Sequence, residues 1–159
     1  MAGKVYITVT GISKWAVLNS LWGAIHLKGF IPDKVYVLVC REAKSYLPEL
    51  SKWLKMLLVS YGSKAELVQV EVDEGNFGET AKLVSEIIES EKAHSNEVAI
   101  DITPGRKAIV SSILIPGWEK KADHVFYLYL KDLRNADRPY PMIPSDLQKL
   151  VDFKSEVWL

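Results

Sequence analysis

Strand-like and helix-like segments alternate along the chain, and this alternation constrains the fold more than any other feature. Five short runs rich in β-branched and aromatic residues predict strands at 5–10, 35–40, 65–72, 98–102 and 125–130. The intervening segments repeat apolar residues at three-to-four spacing and predict helices at 15–28, 43–61, 78–93 and 104–121. Strict alternation of this kind predicts an α/β fold, with a Rossmann-like, doubly wound and mostly parallel sheet.

The apolar character of the strands predicts their order. Four of the runs are almost continuously apolar, which is typical of strands covered on both faces. The third, 65–72, alternates polar and apolar residues and suits a sheet edge, so we expect the order 3-2-1-4-5. In that order the chain reverses direction between strands 1 and 4, and ligands bind outside the carboxyl ends of such strands. The predicted fold therefore selects two loops, 10–14 and 103–107.

Composition limits the class of protein. With 159 residues, of which 48% are apolar and 25% charged, the chain has the size and composition of one globular domain. Twenty basic residues balance twenty acidic ones, so we expect no binding of duplex nucleic acid. The single cysteine, Cys40, excludes an internal disulfide and suits a reducing compartment. We find no leader and no apolar run of membrane-spanning length, and we expect a cytoplasmic protein without membrane contact.

The chain after strand 5 is predicted to belong to the same domain. Residues 1–131 would form the Rossmann-like core, and residues 132–159 a C-terminal extension that begins with a proline-rich stretch. The extension has two alternatives: a lid over a ligand, or an ordinary surface connection or edge element. Ser145 and Gln148 have the spacing of a capping box, which predicts a short helix there.

The first selected loop reads Thr10-Gly11-Ile12-Ser13-Lys14. Its lone glycine excludes a dinucleotide-binding fingerprint, which needs three. Ser13 precedes an amphipathic helix, so its hydroxyl has two alternatives. It caps that helix, or it meets a phosphate together with the N–H groups that a helix leaves without partners at its first turn.

The second selected loop is more informative. Thr103 as N-cap and Pro104 at the first helical position would begin a helix. Arg106 and Lys107 then fall in its first turn, where the helix dipole disfavours each cation by about 0.3–1 kcal/mol. Two cations at this end suggest a bound anion; the alternative is that both side chains extend into water. Asp101, at the end of a buried strand, is interpreted as an anchor for nearby backbone N–H groups.

Other candidate positions are few. His26, His94 and His124 fall on separate segments without ligand spacing, so we expect neither a metal site nor a cofactor. Asn76 and Phe77 follow the third strand and are candidates for ligand binding at the same edge of the sheet. Cys40 is interpreted as a small buried hydrophobic residue.

The run Asp101-Ile102-Thr103-Pro104-Gly105-Arg106-Lys107, paired with Thr10-Gly11-Ile12-Ser13 after strand 1, resembles the CRISPR-associated Rossmann fold (CARF) family. In that family the loop after strand 4 reads roughly D-[IL]-T-[GP]-G-x-K, and the loop after strand 1 carries a small hydroxyl residue. The resemblance implies a homodimer that binds a cyclic oligoadenylate, usually cyclic tetra-adenylate, across its two-fold axis. It assigns ligand binding to Thr10, Gly11, Ile12, Thr103, Pro104, Gly105 and Arg106. Pro104 is a departure, since many relatives have glycine there.

Many CARF domains are fused to an effector such as a HEPN ribonuclease, for which we expect no room in this chain. A lone CARF domain resembles the ring nucleases, which degrade cyclic tetra-adenylate and switch off type III CRISPR signalling. The resemblance carries their catalytic roles to Ser13 and Lys107. It implies slow, metal-independent cleavage by 2′-hydroxyl attack, which leaves 2′,3′-cyclic phosphate ends. Two alternatives stay open: a non-catalytic CARF sensor or adaptor, and an α/β enzyme for a small phosphorylated molecule.

Overall fold

The computed structural model describes residues 2–156. Within this range the chain forms one sheet from strands β1 (Lys4–Val9), β2 (Lys34–Val39), β3 (Glu66–Glu71), β4 (Glu97–Asp101), β5 (His124–Leu130) and β6 (Gln148–Asp152). The helices are α1 (Lys14–Lys28), α2 (Leu47–Ser60), α3 (Phe77–Ala93), α4 (Lys107–Glu119) and the short α5 (Phe153–Glu156).

The order of the strands across the sheet is β3-β2-β1-β4-β5-β6. The first five strands run parallel in the predicted order, and the alternating strand β3 lies at the edge. The predicted fold class and strand order are therefore confirmed. The strand β6, which pairs antiparallel with β5, was not predicted.

Two apolar layers cover the sheet, and they explain why its central strands are continuously apolar. Tyr6 of β1 packs with α1 and α2 on one face, whereas its neighbours Val5 and Ile7 pack with α3 and α4 on the other. Because successive side chains of a strand point to opposite faces, a strand between two layers needs apolar residues at every position. Because β1 and β4 are parallel neighbours in this sheet, the loops that follow them lie side by side.

The C-terminal extension packs against α1. Asn19 of α1 donates to the carbonyl oxygen of Arg138 at 2.7 Å and accepts from the backbone N–H of Tyr140 at 2.9 Å. The prediction of a short helix at Ser145 is wrong. A single 3₁₀ turn spans Ser145–Leu147, and Gln148 begins β6 with its side chain donating to the carbonyl oxygen of Ile143 at 3.1 Å. Pairing with β5 therefore outweighs the local capping signal.

His124, the first residue of β5, lies between two carboxylates. Its Nδ1 is 2.7 Å from Oδ2 of Asp152, and its Nε2 is 2.6 Å from Oε1 of Glu97. The hydrogen bond to Asp152 is the largest cause that raises the pKa of His124, and partial burial opposes it. Burial alone would raise the pKa of Asp152, but hydrogen bonds, first that from His124, lower it overall. His124 thus joins β4, β5 and β6 through both of its ring nitrogens.

We expect the stability of the fold to decrease at alkaline pH. A pKa raised in the folded state gives stability that is fully present below the unfolded value, about 6.5, and is lost as the pH rises through the folded value. Each unit of such a shift corresponds to about 1.4 kcal/mol. Thermal melts at increasing pH should show a falling melting temperature, and His124→Gln should flatten the profile. The control is His94→Gln, on an exposed residue; an equal fall in His124→Gln would refute the assignment.

Candidate functional site

The loops after β1 and β4 touch through their backbones. A Cβ atom added at Gly11 would lie 2.6 Å from the backbone nitrogen of Gly105 and 3.0 Å from its Cα. Gly105 itself has a φ of 95°, a conformation that other residues rarely adopt. The close approach therefore requires glycine at position 11 and the positive φ favours it at 105, and the loops that precede α1 and α4 are in contact.

Ser13 occupies the N-cap position of α1 without capping it. Its backbone is extended, with φ −99° and ψ 118°, and its side chain makes no capping hydrogen bond. The Oγ atom is buried and has no hydrogen-bond partner among residues 2–156. Of the two predicted alternatives, the capping bond is absent in this part of the chain. The hydroxyl is thus buried and unpaired within this range, at a helix end whose first N–H groups have no intrahelical partners.

The helix α4 begins three residues later than predicted, so the prediction of Thr103 as its N-cap is wrong. Arg106 holds the N-cap position, and Lys107 is the first helical residue. The hydroxyl of Thr103 instead accepts from the backbone N–H of Leu128 in β5 at 2.9 Å. This contact fixes the loop to the neighbouring strand, and Pro104 is buried beside it.

The two predicted cations have different surroundings. Lys107 is exposed and forms no ion pair with any residue of the described range 2–156. Arg106 pairs with Glu42 through Nη2, and its Nη1 lies 3.5 Å from Oε2 of Glu74. Lys107 is therefore the cation that faces solvent at the helix start, whereas the charge of Arg106 is already compensated.

Asp101, the last residue of β4, anchors the second loop to the sheet. Its carboxylate is completely buried and accepts from the hydroxyls of Thr8 at 2.8 Å and Ser20 at 2.6 Å, and from the backbone N–H of Thr103 at 3.0 Å. Burial raises the pKa of Asp101, and these hydrogen bonds oppose the rise. The side chain joins β1, α1 and the second loop, as its interpretation as an anchor predicted.

Two hydrogen bonds from the segment after β2 hold the first loop in place. Thr10 is completely buried, and its hydroxyl accepts from the backbone N–H of Cys40 at 2.9 Å. The hydroxyl of Tyr46 donates to the carbonyl oxygen of Gly11. Burial is the main cause that raises the pKa of Tyr46 to about 12, so this hydroxyl stays protonated as a donor. Sequence reasoning missed Tyr46, because it lay inside a predicted helix that in fact begins at Leu47.

The remaining candidates lie at the margin of this region. Asn76 caps α3: its Oδ1 accepts from the backbone N–H of Glu79 at 3.2 Å, and its Nδ2 donates to Oε2 of Glu79 at 2.8 Å. Ile12 and Phe77 are exposed, at 79% and 46% of their full surface. Cys40 is buried, and burial is the main cause that raises the pKa of its thiol to about 12, which leaves it unreactive. The loop between β3 and α3 therefore contacts Arg106 through Glu74, whereas Asn76 contacts its own helix.

Two further searches cover residues 2–156. In this range no group of three or more His, Cys, Asp and Glu side chains is arranged to hold a metal ion. Within the same bounds, no helix combines the length and the apolar character that a membrane crossing requires.

The chain resembles solved structures in fold. Neither a protein-family model nor a curated protein matches its sequence. Can2 from Sulfobacillus thermosulfidooxidans, solved with cyclic tetra-adenylate, aligns with a TM-score of 0.59 at 14% identity, covering 83% of this chain and 33% of Can2. A type III CRISPR defence DNA nuclease activated by cyclic oligoadenylate has a TM-score of 0.62 at 14% identity, with coverages of 82% and 19%.

A third structure covers nearly the whole chain. Csm6 from Enterococcus italicus, bound to cyclic hexa-2′-fluoro-hexa-dAMP, has a TM-score of 0.64 at 12% identity, covering 97% of this chain and 42% of Csm6. The chain thus spans between 19% and 42% of the length of these three structures. In fold the chain is similar to these three structures, and this likeness agrees with the predicted Rossmann-like sheet.

Proposed function

We propose that the chain is a ring nuclease that binds cyclic tetra-adenylate and slowly cleaves it, which ends type III CRISPR signalling in the cytoplasm. The observation that carries this proposal is the backbone contact between Gly11 and Gly105, which joins the loops that lead into α1 and α4. The N-terminus of a helix attracts phosphate through its N–H groups and its dipole. Can2 and Csm6, which share the fold, were solved with cyclic adenylates.

The proposal includes a homodimer with one ring on its two-fold axis. A ring of four nucleotides is too large for the crevice of one sheet, and α4 offers a surface for a second copy. Its exposed residues form one stripe that begins at the site, namely Lys107, Ala108, Ser111, Ile115 and Glu119. Because a two-fold interface uses the same patch on both copies, packing along this stripe would place two Lys107 side chains around one ligand.

The reaction needs little from the protein, because the substrate supplies its own nucleophile. A ribose 2′-hydroxyl attacks the adjacent phosphorus in line and loses its proton to water, and the bond to the 5′-oxygen breaks as that oxygen takes up a proton from water. The products are a 2′,3′-cyclic phosphate and a 5′-hydroxyl end. The protein has to align these atoms and stabilise the charge that develops on the phosphorane.

The contacts of the two loops suggest the roles of their residues. The ammonium group of Lys107 and the helix N–H groups would stabilise the developing charge, while the uncommitted Ser13 hydroxyl would orient the reacting phosphate. Thr10 and Thr103 would position the loops, since their hydroxyls are already engaged. Neither loop contains a histidine, so the reaction lacks the roughly 10²–10⁴-fold that general acid–base catalysis supplies. We expect slow turnover.

Incubation with labelled cyclic tetra-adenylate in the presence of EDTA tests the proposal. We expect cleavage to linear products at the same rate as with magnesium, because the proposed mechanism uses no metal ion. A titration in the same buffer should give one ring bound per two chains. A ring that is bound but remains intact would favour the sensor or adaptor, and a ring that is ignored would favour an enzyme for a small phosphorylated molecule. Activity that returns only with added magnesium or manganese would refute the mechanism.

A further inference from the structure

Arg106 stands in the ligand-binding motif, yet two carboxylates from other loops hold it. Glu42 comes from the 3₁₀ turn Arg41–Ser45 after β2, and Glu74 from the loop between β3 and α3. Both approach the guanidinium group at the start of α4, Glu42 at Nη2 and Glu74 at Nη1, 3.5 Å away. Three loops at the carboxyl edge of the sheet therefore meet in one exposed ion-pair cluster.

This cluster changes the electrostatics of the candidate site. Arg106 and Lys107 contribute two positive charges beside α4, and Glu42 and Glu74 contribute two negative charges, so the four groups sum to zero. An anion that approaches the helix start meets two carboxylates as well as two cations. Glu42 also accepts a hydrogen bond from Nη2 of Arg106, a donor that would otherwise bind a phosphate.

We propose that Glu42 and Glu74 restrain the affinity of the site for its anionic ligand by holding Arg106 as an internal ion pair. This inference rests on the proposed function, since it concerns the same site. A bound phosphate has to compete with both carboxylates for Arg106 and is repelled by them. The restraint allows the ring and its linear product to dissociate from a site whose helix ends and Lys107 all attract them.

Substitutions that remove the negative charges provide the test, with cyclic tetra-adenylate as the probe. The double variant Glu42→Gln, Glu74→Gln should bind the ring about tenfold more tightly. It loses the two negative charges beside Arg106, and the guanidinium group is released. The slope of log K against log salt concentration should also become steeper by about 0.7, the value expected for one further phosphate contact. The matched control is Glu89→Gln, whose partner Lys120, at 2.7 Å, follows the opposite end of α4.

Arg106→Ala then shows whether the gain in ring affinity depends on the released guanidinium group. Added to the double glutamine variant, it should abolish most of the gain, and it should weaken binding more there than in the unaltered chain. Affinity that falls or stays constant in the double variant, at an unchanged melting temperature, would overturn the inference and leave ring binding intact. A gain that persists without Arg106 would also overturn it. An unaltered chain that does not bind the ring would instead refute the proposed function itself.

Discussion

Replacing Lys107 by alanine should lower the single-turnover rate of ring cleavage by about 10²–10³-fold, the usual cost of losing one preorganised charge that stabilises a developing anion. Lys107 is the exposed cation at the first position of α4, and it has no counter-ion within residues 2–156. In the proposed site we expect backbone N–H groups at the helix ends to hold much of the ground-state phosphate affinity. Affinity should therefore fall much less than the rate, and both are measured with labelled cyclic tetra-adenylate.

Two companion variants make this result specific. Lys52→Ala removes an exposed lysine from the middle of α2 and should leave cleavage unchanged. Ser13→Ala should slow cleavage while the melting temperature stays constant, because Ser13 makes no capping bond whose loss would cost about 1 kcal/mol. If Lys107→Ala cleaves the ring at the unaltered rate, the lysine is at most an anchor, and the sensor or adaptor becomes the better proposal.

Gly11→Ala should reduce the affinity for the ring at least tenfold. The added Cβ would lie 2.6 Å from the backbone nitrogen of Gly105, and a backbone cannot rotate away as a flexible side chain can. Overpacking of this kind typically costs about 1–3 kcal/mol, and about 1.4 kcal/mol corresponds to tenfold in affinity. The two loops have to separate, which displaces the helix starts that are proposed to bind phosphate.

Titration calorimetry and a thermal melt measure the two consequences for Gly11→Ala. Gly78→Ala is the matched control. It replaces a glycine at the second position of α3, where an added Cβ meets no atom closer than 4.0 Å and a helical alanine is favourable. Unchanged ring affinity in Gly11→Ala would show that the contact between the loops is not part of the binding site.

The sheet was predictable because its signals are local. Continuous apolar runs indicated strands between two layers, and the alternation at Glu66–Glu71 indicated the edge. The strand Gln148–Asp152 was not predictable in this way. It is short, a capping-box pattern precedes it, and its pairing with β5 depends on a connection that packs on α1 through Asn19.

The candidate site was predictable only in part, because several of its contacts join distant segments. The predicted strand order placed the loops after strands 1 and 4 next to each other, and these loops touch at Gly11 and Gly105. The start of α4 was mispredicted because the hydroxyl of Thr103 accepts from the backbone of Leu128, on β5, instead of capping the helix. The residues around Thr103 carry no signal for a contact with a strand so far along the chain. Arg106 looks identical in the sequence whether it faces water, a ligand or carboxylates, so its contacts with other loops had no local signal.

The buried bond between Thr8 and Asp101 joins residues 93 positions apart, and this separation has a consequence during protein synthesis. A nascent chain can pair β1 with β2 early, but the other edge of β1 stays open until β4 has left the ribosome. Open apolar edges are sites of aggregation in partly folded chains. The loops after β1 and β4 cannot meet before the same moment, so docking of β4 closes this edge of β1 and brings the two loops of the candidate site together. The strand β4 then presents an open edge of its own until β5 pairs with it. The hydrogen bond from the backbone of Leu128 to Thr103 forms only when β5 arrives, so the second loop is fixed in the same step that covers this next open edge.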